Sequence, residues 1–558
     1  MFADVVREVG RRFGDTPAFV TEDGDVLSYA DLDRLSDEVA VGMSRRGIGP
    51  GDVVALMLGS GPGYIVSYAA AAKIGAITAG VNEKLSPAEQ DACLAVARPS
   101  LVIAGPSSPG SATAPSWAGA DIVVTESCRP SSTLLDELRV VGARPEPLGE
   151  DPDRPVAIVF TSGTTGMPKG AVFCERQLDA ISEADGGRRF GGGGRGLGST
   201  SMAHLATMTK LPQSLRGGGT TFLMTRWSAA EALRLIERHG ITALGGIPTQ
   251  VALMLRHDSF ATTDVSSVKL IALGGGPSAP ALVREARERF GVPVVVRYTC
   301  TEAGVGTGTL PDDPPEDAEE TVGRARGQVE VTIRIQPTDN GLSSSARGKV
   351  DASSTGASFT GASSTGEPST GASSTGASST GASSTGDIGE VCLRSPAVMA
   401  GYFEDPVATA EAITVDGTVR TGDLGWLDEK GRLHLCGRAK EMYVRGGYNV
   451  FPLEVESVLC EHPAVAHVAV APRSDPVMGE IGVAVIVSRS GVSPPSLEDL
   501  RRHAARRLAH HKLPEDILVV HELPRTAMEK VDRRVLQRLV DKRLVDPRLV
   551  DPLPPTGD

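Results

Sequence analysis

The apolar run Val156-Ala157-Ile158-Val159-Phe160 breaks directly into Thr161-Ser162-Gly163-Thr164-Thr165-Gly166-Met167-Pro168-Lys169-Gly170. A strand that empties into such a loop constrains everything around it, because the strand needs a sheet and the loop needs an anion. Glycines at 163, 166 and 170 let the backbone bend tightly and bring its N–H groups close to a charged guest. Thr161, Thr164, Thr165, Ser162 and Lys169 add donors and positive charge, which suits the polyphosphate of ATP. The string is not the Gly-Lys-Ser/Thr loop of kinases and GTPases, since Lys169 lies between Pro168 and Gly170.

Similar apolar runs recur at Val53 to Met57, Leu101 to Ala104, Ile122 to Val124, Thr220 to Met224, Leu270 to Leu273 and Val292 to Val296. Between them lie helix-like stretches such as Ser228 to His239 and Pro280 to Phe290. This alternation predicts an α/β fold with a largely parallel sheet. After about residue 320 the pattern changes to short strands with tight turns, and beyond Arg438 to a compact α+β segment. With 558 residues the chain exceeds one ordinary core, so two or more domains are expected.

Composition excludes some functions. A net charge of −13 and 4% aromatic residues argue against nucleic-acid binding, which wants a basic surface and stacking rings. The seven cysteines contain no CxxC pair, so neither a zinc site nor a disulfide framework is suggested and a cytoplasmic location is expected. The N-terminus lacks the basic start and unbroken apolar stretch of an export signal. The alanine-rich segment Ser67 to Ala76 carries Lys73 and reads as a buried helix rather than an integral membrane span. Gly191 to Gly196 formally contains GxGxxG but follows no clear strand, and reads as a mobile loop.

Ala352 to Gly386 holds seven five-residue units, mostly Ala-Ser-Ser-Thr-Gly. Such units bury too little apolar area to offset ordering entropy, so a disordered insertion over about 342–387 is expected. The Asp-Pro repeats within 543–558 read as a flexible tail.

Further motifs follow in order: Gly274-Gly275-Gly276-Pro277, Tyr298-Thr299-Cys300-Thr301-Glu302, Thr421-Gly422-Asp423, Gly437-Arg438-Ala439-Lys440-Glu441, Gly446-Gly447-Tyr448-Asn449, and Lys530 within Leu523 to Arg533. Together with the Thr161 to Gly170 loop, this series resembles the adenylate-forming superfamily of acyl-CoA synthetases, adenylation domains and luciferases. The resemblance spans roughly Leu27 to Leu536 and departs from the usual pattern at Thr299, where glycine is common.

The resemblance implies a large N-terminal domain, 1–437, of layered α/β sheets with a small β-barrel, and a mobile α+β domain, 438–542, hinged near Lys440. It implies that Gly275, Gly276, Pro277 and Tyr298 face adenine, that Asp423 accepts from the ribose hydroxyls, and that Arg438 lies near ribose or the α-phosphate. Glu302 is the hard oxygen ligand suited to Mg²⁺, and Thr301 donates to a phosphate oxygen. Lys530 bridges the attacking carboxylate and the α-phosphate. The glycines around Gly447 resemble the CoA-ligase form of the post-hinge loop, which points to CoA as the acceptor. Transfer to a carrier protein stays open, as do a homodimer and a non-catalytic acyl or nucleotide binder.

His204, Ala203, Gly245, Gly274 and Thr299 fall at the acyl pocket of the same pattern. Ala203 and Gly245 stand where the family often has aromatic rings, so both remove volume. A pocket for a long or bulky hydrophobic carboxylic acid is expected.

Overall fold

The computed structural model describes residues 1–106, 119–161, 167–198, 200–335, 386–526 and 530–545. The phosphate-loop residues Ser162, Gly163, Thr164, Thr165 and Gly166, the tandem repeats and the C-terminal end from 546 lie outside them.

Four sheets carry the chain. In the first, five parallel strands run in the order Pro155–Thr161, Ile77–Gly80, Val53–Met57, Leu101–Ala104 and Asp121–Val124. Lys169–Cys174 and Gly401–Tyr402 extend it antiparallel beside Pro155–Thr161. Val53–Met57 is buried at every position, as a strand covered on both faces must be. Its alternate residues feed two cores: Val54 and Leu56 join one with Ile103 and Val159, while Val53, Ala55 and Met57 join another with Val102 and Ile158. The apolar runs are therefore continuous rather than alternating.

A nine-stranded sheet holds Val294–Tyr298, Leu270–Gly274, Ala243–Gly246, Arg195–Gly198 and Thr220–Leu223 as parallel neighbours. Gly191 to Gly194 lie outside any helix or strand, as the loop expected over Gly191 to Gly196 requires, while its last two residues belong to the strand Arg195–Gly198. Parallel strands on both sides satisfy its backbone groups, so pairing overrides the poor strand propensity of glycine. The third sheet, four-stranded and antiparallel, runs Glu330–Arg334, Gly389–Arg394, Val419–Leu427 and Leu433–Arg438. It stands where a small barrel was expected. The fourth pairs Tyr448–Val450, Tyr443–Arg445, Gly479–Ser488 and Val465–Asp475, with Asp516–Val519 alongside Gly479–Ser488.

The alanine-rich segment forms a helix, Pro62–Lys73, buried along its whole length. Lys73 ends it with no solvent exposure, 2.6 Å from both Asp33 Oδ1 and Asp37 Oδ1 of the helix Tyr29–Arg45. Its ammonium also donates to the Asp33 carbonyl at 2.7 Å. Removing the cation leaves two carboxylates facing each other, with only the exposed Arg144, 3.3 Å from Asp37 Oδ2, to offset them. Lys73→Met is expected to lose about 3–5 kcal/mol of stability, read as a lowered denaturant midpoint; an unchanged midpoint would show that the acidic pair is hydrated.

Candidate active site

The putting-together of the site follows from strand ends. Ligands in open α/β sheets bind beyond the carboxyl ends of the parallel strands, and here those ends carry the motif residues. Pro155–Thr161 and Lys169–Cys174 form a hairpin whose register places Thr161 opposite Lys169 and Phe160 opposite Gly170. Both described ends of the phosphate loop are thus fixed by the sheet. A Cβ at Gly170 would lie 2.7 Å from Ile158 Cγ2, so glycine is required there.

On the neighbouring sheet, Leu270–Gly274 leads into Gly275, whose φ of +76° disfavours any side chain. Gly274 pairs with Arg297, so Tyr298 emerges one residue beyond the Gly274 level. Pro277 completes this turn, and a Cβ at Gly276 would sit 3.8 Å from Pro248 Cδ. The Tyr298 hydroxyl donates to Asp423 Oδ2 at 2.7 Å. Asp423 in turn is the cross-strand partner of Arg438, whose Nε lies 3.3 Å from Oδ1. The Thr421 hydroxyl supports the turn by accepting from Asp423 N at 3.1 Å and donating to the Val391 carbonyl at 2.7 Å.

Burial pushes the Asp423 carboxyl above its ordinary range, and Arg438, the Tyr298 hydroxyl and Lys530 pull it back. Lys530 lies within electrostatic reach of Asp423, Arg438 and His204. It keeps an exposed surface, yet protein atoms crowd it. That desolvation, with the Arg438 cation, lowers its ammonium below the usual lysine value while Asp423 opposes the shift. Lys530 is presented by a turn in which its carbonyl accepts from Thr526 N at 2.8 Å. Tyr298, Asp423, Arg438, Lys530 and His204 therefore converge, although they come from distant parts of the chain.

Thr301 and Glu302 sit in one 3-10 turn, Thr301–Ala303, and Glu302 Oε1 accepts from the Tyr402 hydroxyl at 2.7 Å. The Lys169 ammonium lies 5.1 Å from the centre of the Tyr402 ring. Sequence reading missed Tyr402, which follows Gly401 in a two-residue strand with no motif around it. Among the described residues no cluster of three metal-ligating side chains occurs. The donor set nevertheless fits Mg²⁺, which takes one or two carboxylates and fills its remaining positions with substrate phosphates and water.

At the acyl side, His204 Nε2 lies 2.9 Å from the amide nitrogen of buried Asn82. An amide nitrogen only donates, which assigns the ring proton to Nδ1. Gly245, Ala272 and Gly274 share one face of the nine-stranded sheet, since Gly245 pairs with Ala272 and Gly274 lies two residues further on. A Cβ at Gly245 would meet nothing within 4 Å, whereas one at Gly274 would lie 3.3 Å from the Arg297 carbonyl oxygen. Open space is present at Gly245. Ala203 is 2% exposed, and a Cβ at Gly80 would be 2.9 Å from its carbonyl oxygen and 2.8 Å from the Tyr64 hydroxyl. The Ala203 backbone crosses directly over Gly80, so position 80 has no room for a side chain.

Thr299 turns its hydroxyl to the Cys300 carbonyl at 3.0 Å. Lys440 is exposed in the turn after Leu433–Arg438. Gly447, at φ +87°, turns the hairpin between Tyr443–Arg445 and Tyr448–Val450, and no described contact joins it to the convergent group above.

The AMP-binding enzyme family matches residues 6–355, and the AMP-binding enzyme C-terminal domain matches residues 454–530. An indoleacetate–CoA ligase of Aromatoleum aromaticum is 29% identical over 522 residues, covering 92% of this chain and 93% of that one. The long-chain-fatty-acid–CoA ligase FadD13 of Mycobacterium tuberculosis is 28% identical over 536 residues, covering 93% and 94%. Among solved structures, ATP-bound MatB from Rhodopseudomonas palustris matches with a TM-score of 0.80 at 25% identity, over 97% of this chain and 99% of that one. The amide bond synthetase McbA from Marinactinospora thermotolerans matches with a TM-score of 0.78 at 27% identity, over 97% and 100%. The chain belongs to the AMP-binding enzyme family of adenylate-forming enzymes, in its acyl-CoA synthetase branch.

The His204 environment sets a pH dependence. Burial first, and the Lys530 cation second, hold its imidazolium down to a pKa of about 4, against an ordinary 6.5. Below about pH 6.5 an unfolded histidine takes up a proton that the folded one refuses, so this residue withdraws stability as pH falls toward 4. An NMR titration of the His204 ring is expected to stay flat from about pH 8 to about 5.5; a midpoint near the ordinary value would place the ring in solvent.

Proposed function

We propose that the protein activates a long or bulky hydrophobic carboxylic acid with MgATP and transfers the acyl group to CoA. The convergence of Lys530, Arg438, Asp423 and His204 at one place carries this reading. A carboxylate oxygen attacks the α-phosphorus, the bond to the bridging oxygen breaks, and pyrophosphate leaves with both electrons. The CoA sulfur then adds to the acyl carbon, its proton is lost, and the carbonyl is restored as AMP departs.

Lys530 holds the incoming carboxylate against the α-phosphate, with Asp423 nearby favouring its ammonium form. Asp423 accepts from the ribose hydroxyls, since each of its oxygens has a second lone pair beyond those used by Tyr298 and Arg438. Thr161, Lys169 and Thr301 contact the phosphates. Mg²⁺ at Glu302 neutralises charge on the phosphate oxygens when bound. Neutral His204, oriented by Asn82, lines the acid's path without adding a competing cation.

The division into 1–437 and 438–542, with rotation about Lys440, belongs to the same proposal. It is supported by the exposed turn at Lys440 and by like charge across the contact between the helix Pro248–Arg256 and the later segment. There Arg256, Arg489, Arg525 and His467 stand close enough to lower the His467 pKa to about 4, after its burial. Rotation would withdraw Lys530 and bring Gly447 to the passage for pantetheine. Seven free cysteines fit a reducing compartment such as the cytoplasm, and no helix among the described residues is long and apolar enough to cross a membrane.

Lys530→Ala is expected to cut acid-dependent ATP–pyrophosphate exchange by about 10²–10³-fold, while thioester formation from supplied acyl-AMP continues. Near-normal exchange would remove Lys530 from its assigned role. Supplying CoA, an amine or a carrier protein to the wild type in parallel decides the acceptor.

Gly245→Phe should fill the open space beside Ala272. Turnover of long or bulky acids is expected to fall about tenfold or more, with short acids much less affected. An equal loss across an acid panel would make Gly245 a backbone requirement instead.

A further inference from the structure

Tyr402 stands between the two charged residues at the phosphate end of the cleft. Its hydroxyl donates to Glu302 Oε1 at 2.7 Å, and its ring carries the Lys169 ammonium at 5.1 Å. The backbone around it is fixed at several points. Met399 N donates to the Glu302 carbonyl at 2.9 Å, Ala400 N to the Val172 carbonyl at 2.8 Å and Phe403 N to the Gly170 carbonyl at 2.7 Å. Tyr402 N itself donates to the Thr409 hydroxyl at 2.8 Å. Residues 399–403 thus stitch the turn bearing Glu302 to the strand bearing Lys169, and the Tyr402 side chain repeats that link.

A carboxylate and an ammonium that both serve one polyanion have a competing option, which is to pair with each other. A direct ion pair would have to be broken before either could meet a phosphate or a metal. An aromatic ring between them gives the ammonium a weaker partner that is readily exchanged for phosphate, and the phenol holds one carboxylate oxygen while leaving the other available.

Resting on the ATP-dependent reading above, we propose that Tyr402 is a positioning residue: it orients Glu302 and Lys169 toward the same triphosphate and prevents their direct pairing. Tyr402→Phe is the informative variant, since it keeps the ring and its volume and removes only the hydroxyl. MgATP affinity, measured by calorimetry, is expected to fall about 10- to 100-fold, with the KM for acid unchanged and the loss reduced by raising free Mg²⁺. The melting temperature should stay with that of the wild type. In a Glu302→Gln background the same substitution should add little, because Tyr402 acts through Glu302.

MgATP binding as tight as in the wild type would overturn the assignment, and so would an undiminished loss in the Glu302→Gln background. Failure of the ligase reading looks different. There, the wild type would bind MgATP yet exchange no pyrophosphate with any acid of a panel, while the Tyr402 binding comparison would still give its answer.

Discussion

A buried carboxylate organises the cleft. Asp423 resists ionisation because it is largely removed from water, and the chain answers with the Tyr298 hydroxyl on one oxygen and the Arg438 guanidinium near the other. These partners arrive from different sheets: Tyr298 ends a parallel strand of the nine-stranded sheet, while Asp423 and Arg438 face each other across two antiparallel strands. The same charge reaches Lys530, favouring its ammonium against the opposing field of Arg438. One carboxylate therefore faces two cations, Arg438 and Lys530, that come from different segments of the chain.

Around that centre, close backbone approach does as much as charge. Gly170, Gly275 and Gly80 each sit where a side chain would collide or be strained. Gly245 is the exception, with space rather than crowding beside it. The distinction matters for the acid. Crowded glycines tell how the frame is built, whereas an uncrowded one on a sheet face tells what the frame leaves for a ligand.

Much of this was legible in the sequence because it is local. Continuous apolar runs such as Val53–Met57 and Leu101–Ala104 mark strands covered on both faces, and Pro280–Phe290 announces itself by periodicity and its closing glycine. The motif residues Tyr298, Asp423, Arg438 and Lys530 do meet at one place. What was not legible depends on neighbours. Arg195–Gly198 is a strand only because two others flank it. Gly80 has no room for a side chain because the Ala203 backbone crosses it. Tyr402 and Asn82 gain their roles from residues 100 and 122 positions away, a relation no local pattern records.

The strands Glu330–Arg334 and Gly389–Arg394 pair so that Arg334 faces Glu390. The described chain therefore stops after Ile335 and resumes at Gly386 beside neighbouring positions of one strand pair. Chain closure between fixed ends grows only logarithmically with length, about 0.6 kcal/mol for each doubling. Short identical repeats are also the kind of coding sequence that gains and loses copies during replication. A change in the number of units between these two fixed ends would therefore leave the strand pairing beside Asp423, one strand away, as it is.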